Sequence, residues 1–254
     1  IYAEALDENA TAVAGGVNAS GNAKVTGNIN NKIKTNGGYI AAEAIKENST
    51  AVAGGVNATG NAKVKGNINQ NITTNGGVID SIANGKRAVA VAAGVNLGGN
   101  AKVKGNINNT VSTNSGDIFS YAGAKDATAV AGGVNALGNA KLKGNVNNTV
   151  KTNTGYIAAD ALRKDSTAVA GGVNATGNAL VNGNINQNIT TNGGVIDAIA
   201  DGRRAIAVAA GVNLRGNADV QGNINNTVST NGGDIMSYAG AKDATAVAGG
   251  INVE

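Results

Sequence analysis

The chain has no proline, cysteine, histidine or tryptophan among its 254 residues, and its aromatics amount to five tyrosines and one phenylalanine. Without cysteine there are no disulfides. Without cysteine and histidine no ordinary nucleophile–base pair can be assembled, so a serine or threonine would need lysine or a carboxylate as its partner. The scarcity of aromatics removes the stacking platforms on which single-stranded nucleic acid is usually held, and the net charge of +4 is mild. No run of eighteen or more apolar residues occurs, so no membrane-spanning helix is expected. Charged residues are 14% of the total, which does not fit a disordered polyelectrolyte. The sequence opens at Ile1 with no signal segment, as expected of a processed form or an excerpt.

What the chain does have is glycine, 39 residues of it, with an apolar 42% made mostly of Ala, Val and Ile. From Val56 to Asn75 the even positions (Val56, Ala58, Gly60, Ala62, Val64, Gly66, Ile68, Gln70, Ile72, Thr74) are nearly all apolar or small, and the odd positions are all polar. Alternation with period two predicts extended chain with one face buried and the other wet. The three- and four-residue spacing of a helix is missing.

The same stretch recurs every 39 residues, marked by Gly16-Val17-Asn18, Gly55-Val56-Asn57, Gly94-Val95-Asn96 and their successors down to Gly250-Ile251-Asn252. The segment from Thr50 to Ala88 nearly equals that from Thr167 to Ala205, so a three-repeat block of 117 residues has been duplicated. Ile1 is equivalent to Ile40. Residues 1–254 therefore divide into six full repeats and about half of another, with no linker or shift in composition to mark a boundary. A single array is expected.

Each repeat divides into three extended sides: Thr50 to Ala58, Ala62 to Thr74 with a bend at Gly66, and Val78 to Ala83. Asn and Gly supply the corners between them. If repeats stack in parallel register, identical residues form columns about 4.8 Å apart, and Asn57, Asn61, Asn67, Asn69 and Asn75 with their equivalents become side-chain ladders. The predicted fold is all-β, a parallel β-solenoid. One lap per repeat is preferred because the two halves of a repeat are unlike. Two laps would keep Lys24, Lys63, Lys102 and Lys141 further apart, and that geometry stays open. A propeller is disfavoured by the lack of bulky blade signatures and of complementary chain ends.

No catalytic residue, cofactor site or metal site is expected. Asp80, Asp117, Asp197 and Asp234 fall in different repeats, not in a close carboxylate pair or a calcium loop. The glycine-rich stretches lack the helix of a phosphate loop. Thr110, Ser112, Thr149, Thr227 and Ser229 form an outward array of the ice-binding kind, interrupted by Lys32, Lys34 and Lys151. On the third side Ile40, Ala42 and Ala44 point inward, yet the outward positions are often apolar as well. All the aromatic residues lie there, and Tyr39, Phe119, Tyr121, Tyr156, Met236 and Tyr238 are the candidates for lateral self-association. The first and last repeats keep the internal consensus where solenoids usually carry polar caps. That is expected either of a cut from a longer array or of ends that meet other copies.

The Gly-x-[Val/Ile]-Asn signature, the Asn columns and the Ala/Val/Gly composition resemble bacterial exported β-solenoid repeat proteins, namely filamentous-haemagglutinin-like exoproteins and curli-type functional amyloid subunits. The chain matches neither the shorter haemagglutinin-type repeat nor curlin's Gln/Ser-framed one. The resemblance implies an extracellular or cell-surface structural role. The expectation is a non-enzymatic subunit of a self-assembling filament, its partners copies of itself, with neither nucleic acid binding nor membrane insertion. The alternative is a stalk or ligand-binding segment of a large surface adhesin.

Overall fold

Successive repeats lie directly on one another. In the computed structural model, which describes residues 1–253, Ile68 pairs with Ile29 on one side and Ile107 on the other, and Asn75 with Asn36 and Asn114. Every strand-to-strand pairing is between equivalent positions 39 residues apart, such as Asn57 with Asn18. The molecule is a parallel β-solenoid with one lap per repeat, so the two-lap geometry does not occur. Among the described residues there is no helix, and hence none long and apolar enough to cross a membrane.

One lap contains five strands, in the second repeat Thr50–Ala53, Val56–Ala58, Lys63–Lys65, Ile68–Asn75 and Ile79–Ala83. Stacked, they give three sheets of seven strands and two of six. The three sides read from the sequence become five strands because glycine breaks two of them. The second side bends at Gly66, as its glycine suggested. The first also breaks, at Gly54, where φ is +62°.

That extra corner gives the lap two cores. Ala51, Ala53, Ile72, Ile79 and Ala83 fill one, while Val56, Ala58, Ala62, Val64 and Ile68 fill the other. The long strand borders both, with Ile68 in one core and Ile72 in the other. Between them sits Gln70, buried, whose side-chain amide donates to the Ala93 carbonyl of the next lap's corner. Asn31 does the same to Gly54 at 2.7 Å, Asn109 to Gly132 at 2.8 Å and Gln187 to Ala210 at 2.6 Å. A polar residue on the inward face is thus a tie across the waist, since a buried amide without a partner would be costly.

The waist shows a matched exchange. Where the corner residue is glycine (Gly54, Gly132, Gly171, Gly249) the tie is asparagine; where it is Ala93 or Ala210, held at φ +50° and +52°, the tie is the longer glutamine. A methyl group at the corner and an extra methylene in the tie go together.

The same corner folds the outer faces of its two flanking strands into a recess. Val52, Val91, Val130, Val169 and Val208 line it as a third apolar column, all fully buried. Asn57 is also buried, although alternation placed it on the wet face. This corrects the two-faced reading of Val56 to Asn75: period two tells the faces apart, but a re-entrant corner covers both. Along the stack each buried isoleucine of the columns through Ile68, Ile72 and Ile79 adds roughly 1.5–3 kcal/mol. In the last described lap the stack lies open: Ile235, in the Ile79 column, is 47% exposed, and Ile251, in the Val56 column, is 50% exposed.

Candidate functional site

The asparagine ladders are the most regular feature of the surface and the recess. The Asn57 amide donates to the Asn18 side-chain carbonyl at 2.8 Å and its own carbonyl accepts from Asn96 at 2.8 Å; the chain of bonds runs on through Asn135, Asn174, Asn213 and Asn252. Asn61, Asn69 and Asn75 form the same amide-to-amide ladders on exposed or half-buried faces, at 2.8–3.1 Å. Asn67 differs. Its side-chain carbonyl accepts from the backbone N–H of Asn106 at 2.8 Å, and the Asn67 N–H donates to Asn28 at 2.9 Å. Beside Gly66 the strand is bent, and this column satisfies backbone groups that the bend frees.

The aromatic residues all lie on the outward face of the sheet through Ile79–Ala83 or at its entrance. Tyr2, Ala41, Asp80, Phe119, Ala158, Asp197 and Met236 stack in one column, and Ile82, Tyr121, Asp160, Ile199 and Tyr238 in the next. Tyr39, Tyr156, Met236 and Tyr238 are exposed, while Phe119 and Tyr121 are half-buried and stack with ring centroids 6.4 Å apart. The structure does not gather them into one apolar strip. Tyr39 and Tyr156 are three laps apart, as are Phe119 and Met236, and Tyr121 and Tyr238.

What separates them is acid. Glu43, Asp80 and Asp117 step diagonally, one lap up and two residues back each time, and Asp160, Asp197 and Asp234 repeat the diagonal three laps on. Ile82, Phe119 and Tyr156 form the apolar diagonal between them, and an open groove runs past Asp80, Asp117, Phe119, Tyr156, Asp197 and Met236. Sequence reasoning set these acids aside because they fall in different repeats. The missed signal was their spacing, two residues short of a full repeat, which brings neighbours in sequence register onto adjacent laps.

Burial holds the Asp80 carboxyl up at about 6, and the neighbouring Glu43 adds to it. Asp160 is likewise raised by burial and then by Asp197. Asp117 instead accepts the Tyr156 N–H at 2.8 Å, fixing the start of the next lap's strand. A carboxyl whose folded pKa lies above its unfolded value favours the fold most below about pH 4, and that contribution is lost as pH rises through about 6. Asp80→Asn is therefore expected to raise stability at pH 7 by about 1 kcal/mol, discounted for partial exposure, and to change little at pH 4. Urea midpoints of the two proteins at both pH values measure this; a difference of equal size at pH 4 and 7 would contradict it.

The diagonals are too open to act as a metal cluster, and among the described residues no group of three or more His, Cys, Asp or Glu could hold an ion. Chemically, the face offers apolar contact, hydrogen-bond acceptors and negative charge in a three-lap rhythm. Compared with protein-family models, curated proteins and solved structures, the chain matches none of them.

Proposed function

We propose that the protein is a non-enzymatic structural rod that self-assembles into an extracellular filament. One observation carries this reading: each lap pairs with its neighbours through identical residues in identical register, so the upper edge of any lap is complementary to the lower edge of any other. A junction between copies would draw on the same main-chain bonds, asparagine ladders and isoleucine columns that join neighbouring laps. The aromatic and acidic diagonals would then serve lateral contacts between rods.

The second reading, a stalk of a larger surface adhesin, keeps every lap interface within one chain. Electron microscopy of the purified 254-residue protein separates the two. Fibres many rod-lengths long are expected of the filament; monodisperse short rods at all concentrations would sink it in favour of the stalk. Tyr121→Lys combined with Tyr238→Lys is expected to reduce side-by-side bundling while leaving the β-sheet circular dichroism intact. Unchanged bundling would remove the aromatic face from the assembly.

A further inference from the structure

The strand through Lys63–Lys65 turns its lysines outward, and stacking places them on top of one another. Lys24, Lys63, Lys102 and Lys141 pair in sequence along one column, and Lys65, Lys104 and Lys143 occupy the column beside it. All seven are exposed, and a groove runs between Lys63, Lys65, Lys102 and Lys104. Like charges opposed on neighbouring strands, about 4.8 Å apart, destabilise a sheet.

Like charges are stacked elsewhere as well: Glu4 pairs with Glu43, and Lys86, Lys125, Lys164, Arg203 and Lys242 occupy equivalent corner positions on successive laps. That corner also carries acids that pair with its bases, Glu47 with Lys86 at 3.2 Å, Asp126 with Lys125 at 3.9 Å and Asp165 with Arg204 at 2.7 Å, whereas the strand through Lys63–Lys65 has no acid beside its lysines. None of the ion pairs among the described residues involves the seven lysines. Nor does the fold require lysine there. In the duplicated half of the array the same two columns continue as Leu180 and Asn182, then Asp219 and Gln221, with the strand pairing unbroken. The segments from Thr50 to Ala88 and from Thr167 to Ala205 differ at few positions, yet Lys63/Leu180 and Lys65/Asn182 are among them. The basic ladder is thus confined to four laps and is replaced where the backbone is the same.

We propose that this ladder is a binding site for a linear anionic polysaccharide. Two parallel rows of ammonium groups at the lap spacing match a polymer that carries acidic groups at intervals of about one sugar residue. The gain is electrostatic, through release of the polymer's condensed counterions. Nucleic acid fits less well, because no aromatic side chain lies on this strip to stack a base; all of them are on the sheet through Ile79–Ala83 or at its entrance. An anionic lipid surface fits less well too, since the positions between the lysines, Val64 and Val103, are buried and offer nothing to insert. The site is independent of whether the rod forms filaments.

The test is elution from immobilised heparin and titration with dextran sulfate over a range of salt. Residues 1–254 are expected to bind at low salt with an affinity that falls linearly on a double-logarithmic salt plot. K63Q/K65Q/K102Q/K104Q is expected to weaken binding by about tenfold or more and to flatten the salt slope, with unchanged circular dichroism. K46Q/K125Q/K164Q/K242Q removes the same charge from corner positions and is expected to retain most of the binding. Equal losses in the two variants would show a general effect of net charge and overturn the site. So would absence of binding at low salt. Tighter binding, at equal salt, to a single-stranded oligonucleotide or to phosphatidylserine vesicles than to the polysaccharides would overturn the choice of partner.

Discussion

Replacing Asn135 by alanine is expected to destabilise the protein by about 2–5 kcal/mol, far more than the same change at Asn139. Both residues belong to unbroken ladders with similar bonds. Asn135 donates to Asn96 and accepts from Asn174, each at 2.8 Å; Asn139 donates to Asn100 at 3.0 Å and accepts from Asn178 at 2.9 Å. Water decides the difference. Asn96, Asn135 and Asn174 are sealed in the recess, so truncation strands a buried carbonyl on Asn96 and a buried amide on Asn174, at about 1–3 kcal/mol each. Asn139 is exposed, its neighbours can bond to solvent, and Asn139→Ala is expected to cost less than about 1 kcal/mol. Denaturant midpoints of the two variants check this, and equal losses would mean that the recess is wet.

Gly77→Ala is expected to cost about 3 kcal/mol or more, whereas Gly76→Ala, one residue earlier, should cost about 1 kcal/mol. The two glycines are there for different reasons. Gly76 has φ +79° and open space where a Cβ would point, so alanine there meets only the left-handed penalty. A Cβ on Gly77 would collide with the Gly38 carbonyl oxygen of the lap below, a backbone atom that cannot swing aside. The equivalents of Gly77 face the same collision: Gly116 against Gly77, Gly194 against Gly155 and Gly233 against Gly194. The chain's own substitutions follow this division. Ser115 and Thr154, both at φ +66°, stand where other laps have the first glycine, while the second is glycine in every lap. Thermal or urea unfolding of the two variants measures the contrast; a larger loss at Gly76 would place the close approach on the wrong residue.

These two results also mark what could be read from the residues alone. Period-two alternation and the fixed repeat gave the parallel stack, and the identity of Asn57, Asn61, Asn69 and Asn75 between repeats gave the ladders, because register forces like onto like. The corner at Gly54 was not legible as a reversal of curvature. Glycine says that a bend is allowed and is silent on its direction. The burial of Asn57 and Val52 follows only from that direction, as does the division into two cores. The tie at Gln70 was concealed for a related reason: one polar residue on an apolar face looks like an exception until its partner, 23 residues on in the next lap, is known. Its trace was in the sequence all the same, as the pairing of glutamine with Ala93 and Ala210 and of asparagine with glycine elsewhere. Tyr39, Phe119 and Tyr121 share a sheet face, but only stacking the repeats reveals the diagonals of Asp80 and its neighbours running between them.

The in-register stack itself is most directly tested by a distance. Lys34 and Ser229 occupy the same exposed column on the long strand, five laps apart. The protein has no cysteine of its own, so Lys34→Cys with Ser229→Cys accepts two nitroxide labels and no others. Electron–electron dipolar spectroscopy is expected to give a narrow distribution centred at about 24 Å, five steps of about 4.8 Å. A distance near 48 Å, as two laps per repeat would produce, or a broad distribution from repeats folded as separate units, would contradict the stack.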